Sequence, residues 1–199
     1  MNVRLIKTWT WQSGIVYKDA FYINTYTARI RMHTTSMYDQ DHDVAYGRMD
    51  YWFEEVMQDS VMISADSPAV KAYAATGQRL LVFPDDPVDQ LVGIMLCLKL
   101  NAITEGRLVI TDVDISSVHG ADMTYQHNQA EAVGPMSAAG WWQDARPMWH
   151  HAVSPTKGSK VVSLNRAADW HSLQLDWQPA SNDRDSSIVF ADFDRDEDK

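Results

Sequence analysis

From Thr25 to His33 the chain alternates strictly, with Tyr26, Ala28, Ile30 and Met32 on one side and Thr25, Thr27, Arg29, Arg31 and His33 on the other. A period of two is that of a strand with one buried face, so this segment is predicted as a half-buried strand whose second face carries the two arginines and His33. Val3 to Trp11 repeats the pattern through Val3, Leu5, Trp9 and Trp11, and the Gln12-Ser13-Gly14 cluster behind it predicts a turn. The period then changes. Behind Asp39, Asp41 and Asp43, the residues Ala45, Met49, Trp52, Phe53, Val56 and Met57 recur at the spacing of an amphipathic helix. Val61 to Ser64 predicts a short strand, Ser67-Pro68 opens a short helix that stops at Gly77, and Arg79 to Phe83 is a second short apolar strand.

Asp86-Pro87 reads as a helix cap followed by a first helical residue. Leu91, Val92, Ile94, Met95, Leu96, Leu98, Leu100 and Ile103 then fill nearly every side of a helix that ends at Gly106. A helix apolar all round belongs in the middle of a fold. Arg107 to Ser117 resumes strand alternation, Val118-His119-Gly120 turns, and Met123 to Gln126 is its hairpin partner. Beyond Asn128 the periodicity stops, and Gly134-Pro135, Gly140, Pro147, Pro155, Gly158 and Pro179 punctuate a segment holding five tryptophans. The expected class is therefore α+β: an antiparallel sheet with two or three helices packed on one face, followed by an irregular Trp-rich extension. The expected divisions are a core at 1–127, the extension at 128–179 and an acidic tail at 180–199.

Composition narrows the class. At 199 residues with 45% apolar and 22% charged residues, the chain has the makeup of a single globular domain. A net charge of −10 opposes direct binding to nucleic-acid phosphates, which requires a basic face. Half of that excess lies from Asp176 onward, where eight acids stand against three basic residues. No run approaches the roughly 18 consecutive apolar residues of a spanning helix, and MNVRLIKTWTW has no secretory pattern. The one cysteine, Cys97, precludes an intrachain disulfide and suits a reducing compartment, so a cytoplasmic location is expected.

Few residues announce chemistry. Seven histidines give no His-x-His and no His-Glu-x-x-His, and there is no cysteine pair, so neither a metal site nor a cofactor is predicted. His33-Thr34-Thr35 is one half of the two-histidine phosphodiesterase pattern, and the second half is missing. His119 and His127 flank the predicted hairpin, and Cys97 reads as a small core residue. Glu131 stands where a loop brings a carboxylate to a cleft mouth. Trp141, Trp142 and Trp149 read as anchors of an interface in preference to a stacking platform for a planar ligand. In the tail, Ile188, Val189, Phe190 and Phe193 are more apolar than solvation requires, which predicts docking onto the body, a sister subunit or a protein partner.

The order strand, strand, helix, short helix, central helix, strand, strand resembles the tunnelling fold, and within it the 6-pyruvoyl- and 6-carboxytetrahydropterin synthases. Phe83-Pro84-Asp85-Asp86-Pro87-Val88-Asp89-Gln90 is similar to that family's Asn-Pro-Thr-x-Glu helix start, Arg107 to Ser117 with Tyr125 resembles its closing hairpin, and Tyr26 to Thr34 resembles the strand after its His-x-His. The resemblance implies a ring of subunits joined edge to edge, with pockets for planar ligands at the interfaces. The zinc-binding His-x-His is replaced by Tyr22-Ile23-Asn24-Thr25-Tyr26, the catalytic cysteine has no counterpart, Gln90 stands at the helix-start Glu, and Ser117 stands near the pterin-anchoring Glu.

The resulting expectation is a homo-oligomer that binds a purine- or pterin-like molecule through Gln90, Ser116, Ser117, His119 and Glu131, with no catalytic residue assigned. The alternative is a non-catalytic interaction protein that docks through Trp141, Trp142, Trp149, Ile188, Phe190 and Phe193.

Overall fold

The computed structural model describes residues 3–36, 38–147 and 169–177. Six strands form one sheet in the order β4-β3-β1-β2-β5-β6. β1 (Arg4–Tyr17) and β2 (Ala20–Thr34) form a long antiparallel hairpin, β2 pairs antiparallel with β5 (Leu108–Ser117), and β5 pairs antiparallel with β6 (Thr124–Asn128). The short strands β3 (Val61–Ser64) and β4 (Leu80–Phe83) add in parallel at the outer end of β1, so the sheet is mixed.

The first hairpin is longer than its alternation predicts. Gln12-Ser13-Gly14 does not turn; the strand runs on to Tyr17, and the chain reverses at Lys18 and Asp19, whose φ values of 48° and 61° are those of a two-residue hairpin turn. Ser13 faces inward and donates to the Met57 carbonyl at 2.8 Å. Gly14 lies flat beneath the Phe21 ring, where a Cβ would come within 2.5 Å of a ring carbon. Polar and small residues that look like a turn in sequence are here a strand interior under a crossing aromatic.

Helix α1 (Asp39–Tyr51) runs straight into one π-helical stretch (Trp52–Met57), and the two bury Ala45, Met49, Trp52, Phe53, Val56 and Met57 as the periodicity predicts. α3 (Asp89–Thr104) begins after Val88, later than the predicted Asp86 cap, and ends through left-handed Glu105 and Gly106. α1 and α3 cover one face of the sheet in a single apolar cluster that includes Trp9, Trp11, Tyr26 and Ile30. The period-two rule separates the other face: Met62 and Leu81 join that cluster, while Val61, Ile63 and Leu80 point away and form a second cluster with Val16, covered by α2 (Val70–Ala75).

The Trp-rich extension enters the core. Met136, Trp141, Trp142 and Trp170 belong to the main cluster, and Trp141 and Trp142 keep 8% and 6% of their surface exposed. Two buried cations fasten this segment. Lys99, in the middle of α3, donates from Nζ to the carbonyl oxygens of Trp141, Asp144 and Arg146. Arg48 donates to the Leu175 and Ile103 carbonyls at 2.8 and 3.0 Å and lies over the rings of Trp170 and Trp177. Buried charge is tolerated where several acceptors surround it, and main-chain carbonyls serve that purpose in both places.

Candidate functional site

β2 pairs with β5 only as far as Tyr26 opposite Ser117, so the tip of the β1–β2 hairpin projects beyond the β5–β6 turn. The space beneath that overhang is closed by the start of α3. It is a cleft of about 330 Å³, walled by Tyr17 and Tyr22 of the hairpin and by Tyr125 and Met123 of the opposite side.

Asp89 forms the polar floor. As the first residue of α3 it shares a helix face with Val92, Gly93 and Leu96, all buried, and that face looks onto the end of β5. Ser117 Oγ lies 2.9 and 2.7 Å from the two carboxylate oxygens and donates its one proton between them. Asp89 is 8% exposed, and that burial raises its carboxyl above the ordinary range against the opposing effects of the Ser117 hydrogen bond and the nearby His119. At Gly120 a Cβ would come within 2.5 Å of the Asp89 carboxylate, so this turn must be bare for the carboxylate to keep its place. The turn itself is bracketed by β2: Asn24 Oδ1 accepts the His119 main-chain N–H at 3.2 Å, and His119 Nε2 donates to the Ile23 carbonyl at 3.1 Å.

Of the five residues expected to bind ligand, Ser117 and His119 meet in this cleft. Gln90 and Glu131 meet instead in a separate cavity of about 50 Å³ between α3 and β6, with Tyr125 common to both spaces. There the buried His127 imidazole has Nδ1 3.6 Å from Glu131 Oε2, and burial lowers its basicity more than Glu131 restores it. Ser116 faces the other side of the sheet, opposite Thr27 and Thr124. On that open face the Arg31 guanidinium grips both oxygens of Asp114 at 2.9 and 2.6 Å.

Trp141 and Trp142, expected at a docking surface, are core residues whose indole N–H groups donate to the Val82 and Met136 carbonyls at 2.8 and 3.0 Å. The irregular sequence around them suggested a surface wrap, but two indoles with main-chain acceptors inside are worth more buried. Trp149, Ile188, Phe190 and Phe193 lie outside the described residues. Cys97 is buried on α3, and burial pushes its thiol up to about 11, away from nucleophilic use.

Sequence reasoning passed over Asp89 and Asn24. A signal for Asp89 existed: counting back from Leu100 and Leu96 along the buried face of α3 reaches residues 93, 92 and 89. Asn24 is 2% exposed, and its amide oxygen is already engaged by the His119 main-chain N–H, while the His119 ring is turned to the Ile23 carbonyl, an arrangement that does not suit a zinc ion. Among the described residues no three His, Cys, Asp or Glu side chains converge as metal ligands.

No protein-family model matches the chain, and no curated protein matches it. Solved structures do. An uncharacterised protein of Wolinella succinogenes aligns at 9% identity and a TM-score of 0.46, over 65% of this chain and 99% of that one. Two catalytic-residue variants of 6-pyruvoyltetrahydropterin synthase from Plasmodium vivax align at 9% identity and TM-scores of 0.40, over 64% of this chain and 99% of theirs. The cleft chemistry of this chain stands on its own residues. No helix among the described residues is long and apolar enough to cross a membrane.

Proposed function

We propose that the protein is a tunnelling-fold-like homo-oligomer that binds a planar purine- or pterin-like molecule in the Asp89 cleft, at or beside a subunit boundary. The observation that carries this reading is the Asp89 carboxylate, buried at the floor of a cleft with aromatic walls and bonded to a single hydroxyl. A carboxylate offers about four lone-pair positions, and one Ser117 proton leaves most of them free. Adjacent N–H groups on the edge of a flat heterocycle complement that arrangement, and Tyr17, Tyr22 and Tyr125 suit its faces. The cleft volume falls at the lower end of the roughly 300–1,000 Å³ of small-molecule sites.

Assembly is supported by what the sheet leaves open. Among the described residues β6 pairs only with β5, and β1 from Arg4 to Thr10 has no strand on its outer side, so β6 and this part of β1 are edges that a second copy can join head to tail. The cleft mouth also exposes apolar surface: Tyr22, Val88 and Met123, which line it, are each 43–52% exposed.

Native mass spectrometry of the freshly purified full chain tests the reading. Retention of a heterocycle of a few hundred daltons in a multimer, lost in Asp89→Asn, is the expected result. A ligand-free monomer that also fails to bind added guanosine or biopterin overturns it.

A further inference from the structure

The Asp89 cleft contains a buried carboxylate, and among the described residues neither lysine nor arginine lines it. The one cation on the adjoining turn, Lys18, has its amine 5.1 Å over the Tyr17 ring and lines a different cavity. The titratable groups that face the cleft are Asp89, His119 and the phenols of Tyr17, Tyr22 and Tyr125, with Tyr26 behind them. Of these His119 is the one imidazole, and its Nε2–H donates to the Ile23 carbonyl.

A carboxylate at 8% exposure with one hydroxyl donor is poorly compensated, and the upward push of burial on its proton affinity has the same origin. Aromatic faces add to the demand. Tyr17, Tyr22 and Tyr125 line the cleft, and an aromatic ring that turns its face to a ligand favours a cation over a neutral molecule and a neutral molecule over an anion.

We infer that the cleft selects a planar organic cation without phosphate: a heterocycle whose N–H pair carries positive charge when bound, such as an amidinium or a ring-protonated aminoazine. The N–H pair takes the two Asp89 oxygens, the Ser117 hydroxyl turns to the side, and the ring lies among the tyrosines. A phosphate on the same molecule finds no Lys or Arg among the described residues of the cleft and meets the Asp89 charge instead, so nucleotides and phosphorylated pterins bind more weakly than their parent heterocycles. This inference rests on the ligand-binding reading above and specifies the charge of what binds.

Calorimetry with two pairs of probes on the full-length protein decides it. Benzamidine and benzamide have the same shape and differ in charge; guanosine and guanosine triphosphate share a base and differ in phosphate. Benzamidine binding at least about 10-fold more tightly than benzamide is expected, as is loss of that preference in Asp89→Asn and weaker binding of the triphosphate than of guanosine. Equal affinity for benzamidine and benzamide, or tighter binding of the triphosphate, overturns the charge inference. Asp89-dependent binding of guanosine with no benzamidine preference overturns it while leaving the first reading intact, and absence of binding by all four probes sinks both. Circular dichroism of Asp89→Asn confirms that a lost preference is not a lost fold.

Discussion

Ser117 Oγ sits within 2.9 Å of both carboxylate oxygens of Asp89, across 28 residues of sequence and between the last residue of a strand and the first residue of a helix. The contact ties the end of β5 to the start of α3. A hydroxyl is the smallest group able to hold a buried carboxylate without neutralising it.

That incomplete compensation has a thermodynamic sign. The folded protein holds the Asp89 proton more tightly than the unfolded chain, so it binds more protons, and stability falls as pH rises from the ordinary carboxylate value through the raised folded value. Asp89→Asn keeps an acceptor for Ser117 and removes the charge. The variant is expected to be more stable than wild type at pH 7, on the order of 1 kcal/mol, with the difference shrinking as pH falls toward 4, while ligand binding is lost. Urea titrations at pH 4 and pH 7 measure this. A variant less stable than wild type at neutral pH means that the carboxylate is structural.

Gly120 controls the same carboxylate from the other side. Its backbone is not in the left-handed region, so alanine is tolerated by the chain, but the new methyl lands 2.5 Å from an Asp89 oxygen. Gly120→Ala is expected to fold normally and to weaken ligand binding by about 1–2 kcal/mol, the usual cost of overfilling a packed site. Serine at the same position clashes equally, so unchanged affinity in both variants removes Gly120 from the site.

How much of this was legible beforehand follows from which forces leave a periodic trace. The strands Tyr26–Met32 and Arg107–Ser117 and the helical stretch at 39–57 are written as period two and period 3.6, because burial on one face selects every second or every third and fourth residue, whereas the helix at 89–104 is written as an apolar run buried on nearly every side. The parallel addition of β3 and β4 leaves no such trace: Val61 to Ser64 and Leu80 to Phe83 are too short to reveal a partner. Ser117 and His119 were found because a hairpin turn has its own chemistry. Asp89 was hidden by the Asp86-Pro87 cap signal, which placed the helix start two residues early and made Asp89 one more acid of a first turn. Trp141 and Trp142 were misplaced because a sequence without periodicity carries no information about which side of it is inside; the indole acceptors on Val82 and Met136 come from distant chain.

The free edge of β1 makes a prediction about assembly. Gln12 and Gly14 direct main-chain groups outward to Asp59 and Ser60, which puts the even-numbered residues Arg4 to Thr10 in the same outward set. Proline is tolerated where a strand's N–H faces solvent and blocks pairing there. Thr8→Pro is therefore expected to leave each subunit folded and to shift the sedimentation profile from multimer to monomer. An unchanged multimer places the interface elsewhere.

The extension depends on Lys99, whose 1% exposed ammonium is held by three main-chain carbonyls and lies 4.7 Å over the Trp52 ring. Burial brings it from an ordinary 10.5 down to about 8; Asp144 opposes the fall and Arg146 adds to it, and those two side chains are paired with each other. Because the folded pKa is the lower one, the unfolded chain binds more protons between about 8 and 10.5, and the Lys99 contribution makes stability rise with pH across that window and stay level below it. Lys99→Met removes the titrating group and the ammonium donor shared by the carbonyls of Trp141, Asp144 and Arg146, so at pH 7 it is expected to destabilise by about 1–3 kcal/mol. The deficit then widens between pH 8 and pH 10 as wild type gains and the variant does not. Denaturant melts at pH 7, 8.5 and 10 give the slope directly. A deficit that stays constant across the three would show that the carbonyl cage offsets burial and holds the ammonium charged throughout, and the extension would then be fastened by a permanent cation at Lys99 as it is at Arg48.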